Sequence, residues 1–146
     1  MAEQALLSYP ESQAEGYGFL GLRSFHPPVA VRVWRAGESQ FLNVKQLSDA
    51  GGYEPGSLTI NQTRRITKAE WDGFVSLVDR SCYWQMPAVS GGMGNDGAQW
   101  MLEGAQEGRY HVVDRWTPRS GEFREACLYL LKLSDLGIEL SGKDIY

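Results

Sequence analysis

Glu103 and His111 are the side chains best suited by type to move a proton, and Arg115 nearby is suited to hold an anion. Together they describe a small hydrolase or isomerase site of at least roughly 300 Å³ in which the three converge. The pattern supplies no activated nucleophile for it. There is no G-x-S-x-G, and Cys127 falls on the apolar stripe of a helix. His26 precedes Pro27-Pro28 and His111 lies within a strand, so the two histidines give no metal-ligand spacing such as H-E-x-x-H. Opposite charges across a hairpin are an ordinary way to stabilise an exposed sheet face, worth ~0.2–1 kcal/mol per pair. A structural role for Glu103, His111 and Arg115 is therefore preferred, and neither a metal nor a cofactor is implied.

Gly92-Met93-Gly94-Asn95-Asp96-Gly97 matches G-x-G-x-x-G by letter. A dinucleotide site needs those glycines after a strand and at the start of a helix. Here a helix precedes and a strand follows, so the segment reads as a turn-rich loop, with a partner-binding loop as the functional alternative. Asp96, Gln99, Trp100, Arg115 and Trp116 are the binding candidates around it. Trp84, Trp100 and Trp116 either knit a helix end to the sheet or form an aromatic platform. Cys82 and Cys127 make no redox or metal motif, and buried free thiols are the expectation for both.

These side chains hang on elements that the periodicity predicts. Residues 1–15 are polar and aperiodic and read as a loose arm, leaving 16–146 as one domain. Strands are expected at Tyr17 to Phe25, Val29 to Arg35, Gln40 to Leu47 and, briefly, Ser57 to Asn61. Thr67 and Glu70 form a T-x-x-E capping box, followed by Trp71, Phe74, Val75, Val78 and Cys82 at helical spacing. Strands at Ala98 to Glu103 and Arg109 to Trp116 come next, then a helix from Gly121 to Leu136 capped by Gly137. The sum is an α+β fold: an antiparallel sheet with two amphipathic helices on one face, in the order strands, helix, hairpin, helix.

The hairpin register decides which candidates share a face. With Ala105-Gln106-Glu107 as the tip, Glu103 faces Arg109 and Met101 faces His111. Gln99, Met101, Glu103, Arg109, His111 and Arg115 then line a polar face, while Trp100, Leu102, Tyr110 and Val112 enter the core. A slip of one residue swaps the partners. The first arrangement has the cleaner amphipathic split and is preferred.

The run from Asp96-Gly97-Ala98-Gln99-Trp100-Met101-Leu102-Glu103-Gly104 through Gly108-Arg109-Tyr110-His111-Val112-Val113-Asp114-Arg115-Trp116-Thr117-Pro118 to Phe123-Arg124-Glu125-Ala126-Cys127 resembles a pattern in small uncharacterised bacterial proteins. Extended upstream through Gly51-Gly52-Tyr53-Glu54-Pro55-Gly56 and Trp71, the resemblance covers about two-thirds of the chain. It implies a bacterial source and a discrete domain. It carries over no catalytic residue, but it draws attention to Asp96, Trp100, Glu103, His111, Arg115 and Trp116.

Charge and length narrow the function classes. The 146 residues suit one domain with a sizeable core. A net charge of −4 with 14 scattered Lys and Arg, densest at Arg64, Arg65 and Lys68, does not make the basic patch that nucleic acid requires. No apolar run approaches the ~20 residues that span a bilayer, and no signal peptide is visible, so a cytoplasmic location is expected. A leader lost before residue 1 is left open. The leading expectation is a non-enzymatic binding protein. It would use the exposed sheet face near the 98–116 hairpin and the 88–97 loop to hold a protein partner or a second copy. A large exposed apolar-aromatic patch of several hundred Å², with no deep pocket, would favour that reading. An immunity-type protein or an accessory subunit is an alternative, its acidic surface suiting a basic target by analogy alone.

Overall fold

Val29-Ala30-Val31-Arg32-Val33 alternates branched apolar residues with others, and this period of two favours a strand with one face against a core. The computed structural model describes residues 13–23, 28–47, 58–90 and 97–136. Its strands are β1 (Gln13–Arg23), β2 (Val29–Ala36), β3 (Ser39–Leu47), β4 (Leu58–Ile66), β5 (Val89–Ser90), β6 (Ala98–Gln106) and β7 (Arg109–Trp116). Helix α1 (Lys68–Arg80) follows β4, a single 3-10 turn at Tyr83–Gln85 follows α1, and α2 (Glu122–Ser134) follows β7.

The strands form one sheet in the order β4-β3-β2-β1-β6-β7-β5. Every pairing is antiparallel except the short β5–β7 contact, which is parallel. The α+β architecture is the expected one. Residues opposite each other point to the same face, so register defines two surfaces. One row of the helix-side face runs Gln62, Val44, Val31, Phe19, Leu102, Val113. The neighbouring row on the open face runs Thr63, Asn43, Arg32, Gly18, Glu103, Val112.

The helices roof the first surface. Thr67 Oγ1 accepts from the Glu70 amide at 3.0 Å and Glu70 Oε1 accepts from the Thr67 amide at 2.9 Å, the capping box that the sequence predicts. Trp71, Phe74 and Val78 of α1 and Phe123, Cys127, Leu130 and Leu131 of α2 are buried. Tyr17 joins roof to sheet, with ring centroids 5.2 Å from Phe74 and 6.2 Å from Trp71.

Several boundaries differ from the sequence reading. Gln13 to Glu15 belong to β1, not to an arm; residues 1–12 lie outside the described residues. Strand β4 runs on to Ile66, so Arg64 and Arg65 sit on a strand where β3 offers backbone partners. Cys82 leaves the helix: its backbone is left-handed, with φ 56°, and its side chain is exposed. Cys127 is buried, and both thiols are free. Helix α2 stops when Asp135 turns left-handed, with φ 55°; Gly137 lies outside the described residues. No helix among the described residues is long and apolar enough to cross a membrane.

Candidate functional site

The β6–β7 turn determines what can meet what. Glu107 and Gly108 both have positive φ, 48° and 82°, and Gln106 pairs with Arg109. That is a two-residue turn of the mirror-image kind that matches strand twist. Glu-Gly lacks the Asn-Gly or Asp-Gly signature of such turns, and the three-residue tip preferred for its cleaner amphipathic split is not the one that forms. Met101 therefore faces Asp114 rather than His111, a shift of three positions, and an odd shift swaps the faces. Gln99, Met101 and Glu103 share their face with Tyr110, Val112, Asp114 and Trp116. Arg109, His111 and Arg115 lie on the helix side with Trp100 and Leu102.

Glu103 is thus separated from His111 and Arg115 by the sheet itself, and the proposed acid–base trio does not assemble. His111 and Arg115 instead hold the strap between α1 and β6. His111 Nε2 lies 2.8 Å from the Met86 carbonyl oxygen, and Arg115 donates to the carbonyls of Pro87 at 2.8 Å and Ala88 at 3.3 Å. The Tyr83 hydroxyl, fully buried, lies 2.8 Å from the Leu102 oxygen and 2.6 Å from the His111 oxygen, so its one proton serves two strands. Trp100 is a core residue, edge-on to Phe19 at 5.6 Å. Trp84 lies under the Arg109 guanidinium at 4.0 Å. Gln99 donates to Asp114 Oδ2 at 2.8 Å on the open face, where Trp116 also lies. Asp96 and the rest of 91–96 are outside the described residues.

A concave feature lies on the open face, near the middle of the sheet. Gly18 of the central strand β1 lies in a trough between β2 and β6. Leu20, Ala30, Met101 and Val112 line its apolar end, around a cavity of about 210 Å³. Arg32, only 8% exposed, and Glu103 stand on either side of Gly18. The Tyr110 hydroxyl donates to Glu103 Oε2 at 2.6 Å. Glu103 Oε1 leans over Gly18, at 3.3 Å from where a Cβ would sit. Burial, then the hydrogen bond to the Glu103 carboxylate and its charge, push the Tyr110 hydroxyl well above its usual value, so it stays a donor.

Farther along the same face Trp34 stacks on Phe41, with centroids 5.6 Å apart and planes at 23°. No broad exposed apolar patch forms there: among the described residues the exposed large hydrophobic is Val89, on the strap. The apolar groups of the open face are recessed. Sequence reasoning found Glu103 but missed Gly18, Arg32, Ala30 and Val112 as parts of one site. The available signal was Gly16-x-Gly18 in a central strand, where missing side chains mark a close approach by something else. Among the described residues no group of three or more His, Cys, Asp or Glu is placed to hold a metal. Comparison of the chain with protein-family models and with curated proteins gives no match to either.

Proposed function

We propose that the protein is a binding protein and that the open-face trough receives an apolar side chain of a protein partner. The observation that carries this reading is the recessed cavity lined by Leu20, Ala30, Met101 and Val112, with Glu103 Oε1 at its rim. Its volume of about 210 Å³ is below the ~300–1,000 Å³ of sites that enclose small molecules, and suits one inserted side chain. Such a pocket is what a partner's anchor residue fills when it buries apolar surface at the centre of an interface. The carboxylate at the rim accepts a hydrogen bond from the partner's backbone or from a flanking cationic side chain.

The test compares the wild-type chain with Met101→Lys, which puts a charge into the trough, and with Gln85→Lys, an exposed position on the 3-10 turn. Each is used to retrieve partners from an extract of the producing cells, with the retained protein then titrated in purified form. The expected result is one partner bound equally by wild type and Gln85→Lys and at least about tenfold more weakly by Met101→Lys. Equal binding by all three overturns the trough as the recognition site. A small molecule that co-purifies with wild type and is lost from Met101→Lys overturns the protein-partner reading.

A further inference from the structure

Strands β6 and β7 sort their charges by face. Toward the open face they carry two carboxylates, Glu103 and Asp114, and no Lys or Arg; their cations, Arg109 and Arg115, lie on the helix side. The register sets these carboxylates among the apolar lining of the trough, with Glu103 opposite Val112 and Asp114 opposite Met101. Diagonal neighbours in such a ladder stand ~7–8 Å apart, so a side chain seated over Met101 and Val112 has a carboxylate on either flank. Glu103 Oε2 accepts from the Tyr110 hydroxyl at 2.6 Å, which leaves Oε1 leaning over Gly18 toward the trough. Asp114 Oδ2 accepts from Gln99 at 2.8 Å. Arg32 stands across Gly18 from Glu103 but is only 8% exposed, so it presents little of its charge to a partner.

We infer, resting on the trough as the recognition site, that the partner is a basic protein segment whose apolar anchor is flanked by lysine or arginine, selected by Glu103 and Asp114. A partner that seats a side chain in the trough also strips water from the Glu103 carboxylate. A neutral partner leaves that charge buried without compensation, which is strongly unfavourable. A Lys or Arg set against it instead makes a charge-assisted hydrogen bond, roughly twice as strong as a neutral one. Side chains two residues apart in an extended segment are ~7 Å apart, which matches the spacing from anchor to carboxylate. A second copy does not supply such a segment. Among the described residues the exposed large hydrophobic is Val89, whose strand partner is Asp114, so it would bring another carboxylate to the rim.

The test is selection from a library of random dodecapeptides displayed on phage, with immobilised wild type, Glu103→Gln, Asp114→Asn and Met101→Lys as targets, followed by titration of the enriched peptides in solution. Wild type is expected to enrich peptides in which Leu, Met or Phe is flanked by Lys or Arg, and to bind them more weakly as NaCl rises from about 50 to about 300 mM. Glu103→Gln keeps the shape and removes the charge. It is expected to bind those peptides about tenfold more weakly and with a flatter salt dependence, at unchanged circular dichroism and melting. Asp114→Asn is expected to move the same way by a smaller factor, and it carries the test if Glu103→Gln does not fold. Enriched anchors with neutral or acidic flanks, or basic flanks that both variants hold as tightly as wild type, overturn the inference and leave the trough reading standing. Peptides bound equally by Met101→Lys, or none enriched over an unrelated control protein, overturn the trough reading and the inference with it.

Discussion

Gly104 lies where Tyr17 and Tyr83 close over the β1–β6 ladder. A Cβ there would stand 3.0 Å from two ring carbons of Tyr17 and 3.1 Å from one of Tyr83. Neither ring has room to retreat: both are buried, Tyr17 is wedged against Phe74, and Tyr83 is held by its hydroxyl to two strands. Gly104→Ala is expected to destabilise the fold by about 1–3 kcal/mol, the usual cost of overfilling a close-packed site. Urea unfolding measures it, and a midpoint equal to wild type would show that the rings can shift. The same residue explains why His111 is structural. Gly104 is its cross-strand partner, and the empty Cβ position lets Tyr83 lie against the imidazole with centroids 5.3 Å apart.

At the scale of elements, the strap between α1 and β6 is held by His111 and Arg115. It shields the β7 edge through carbonyls that accept from Arg115 and lie against His111, which is a positional role that needs no proton transfer. Arg115→Met keeps the length of the aliphatic stem and removes the donors. It is expected to speed hydrogen exchange at the Asp114 amide, whose acceptor is Ala88 O, by about tenfold, because local opening of a weakly held segment governs that exchange. Helix amides in α1 and α2 should be unaffected. Exchange at Asp114 unchanged from wild type would mean that the β5 pairing and His111 hold the strap without Arg115.

For the whole molecule, the buried acids set the response to alkali. Burial, foremost, pushes Cys127, Tyr17, Tyr83 and Tyr110 above their usual values, with the carboxylates of Glu15 and Glu103 adding to Tyr17 and Tyr110. In each case the folded value is raised above the unfolded one. The stability linked to these groups is therefore fully present below the unfolded values, ~8.5 for a thiol and ~10 for a phenol, and is lost as pH rises beyond them. The melting temperature is expected to hold level from about pH 7 to 8.5 and to fall steadily above it, with the steeper part past about 10. Cys127→Ala should remove the early part of the fall and leave the later part. A melting temperature that stays level to pH 11 would contradict the burial of these groups.

Local pattern was enough for the elements. The capping box at Thr67 and Glu70, the apolar stripes of both helices and the alternation in β2 act within a few residues, and each is satisfied by backbone geometry or by one buried face. The α+β order followed from them. What the chain in isolation left undecided was face and neighbour. A two-residue turn at Glu107-Gly108 moved the β7 partners by three positions, which sent Glu103 to one side of the sheet and His111 and Arg115 to the other. The trough needed β1 to settle between β2 and β6, pairings that bring Gly18 together with residues 14 positions later and 85 positions later. Composition cannot encode such distant neighbours one by one. They are chosen by which sheet order buries Tyr17, Phe19 and Trp100 under the helices, and that is a property of the packed whole.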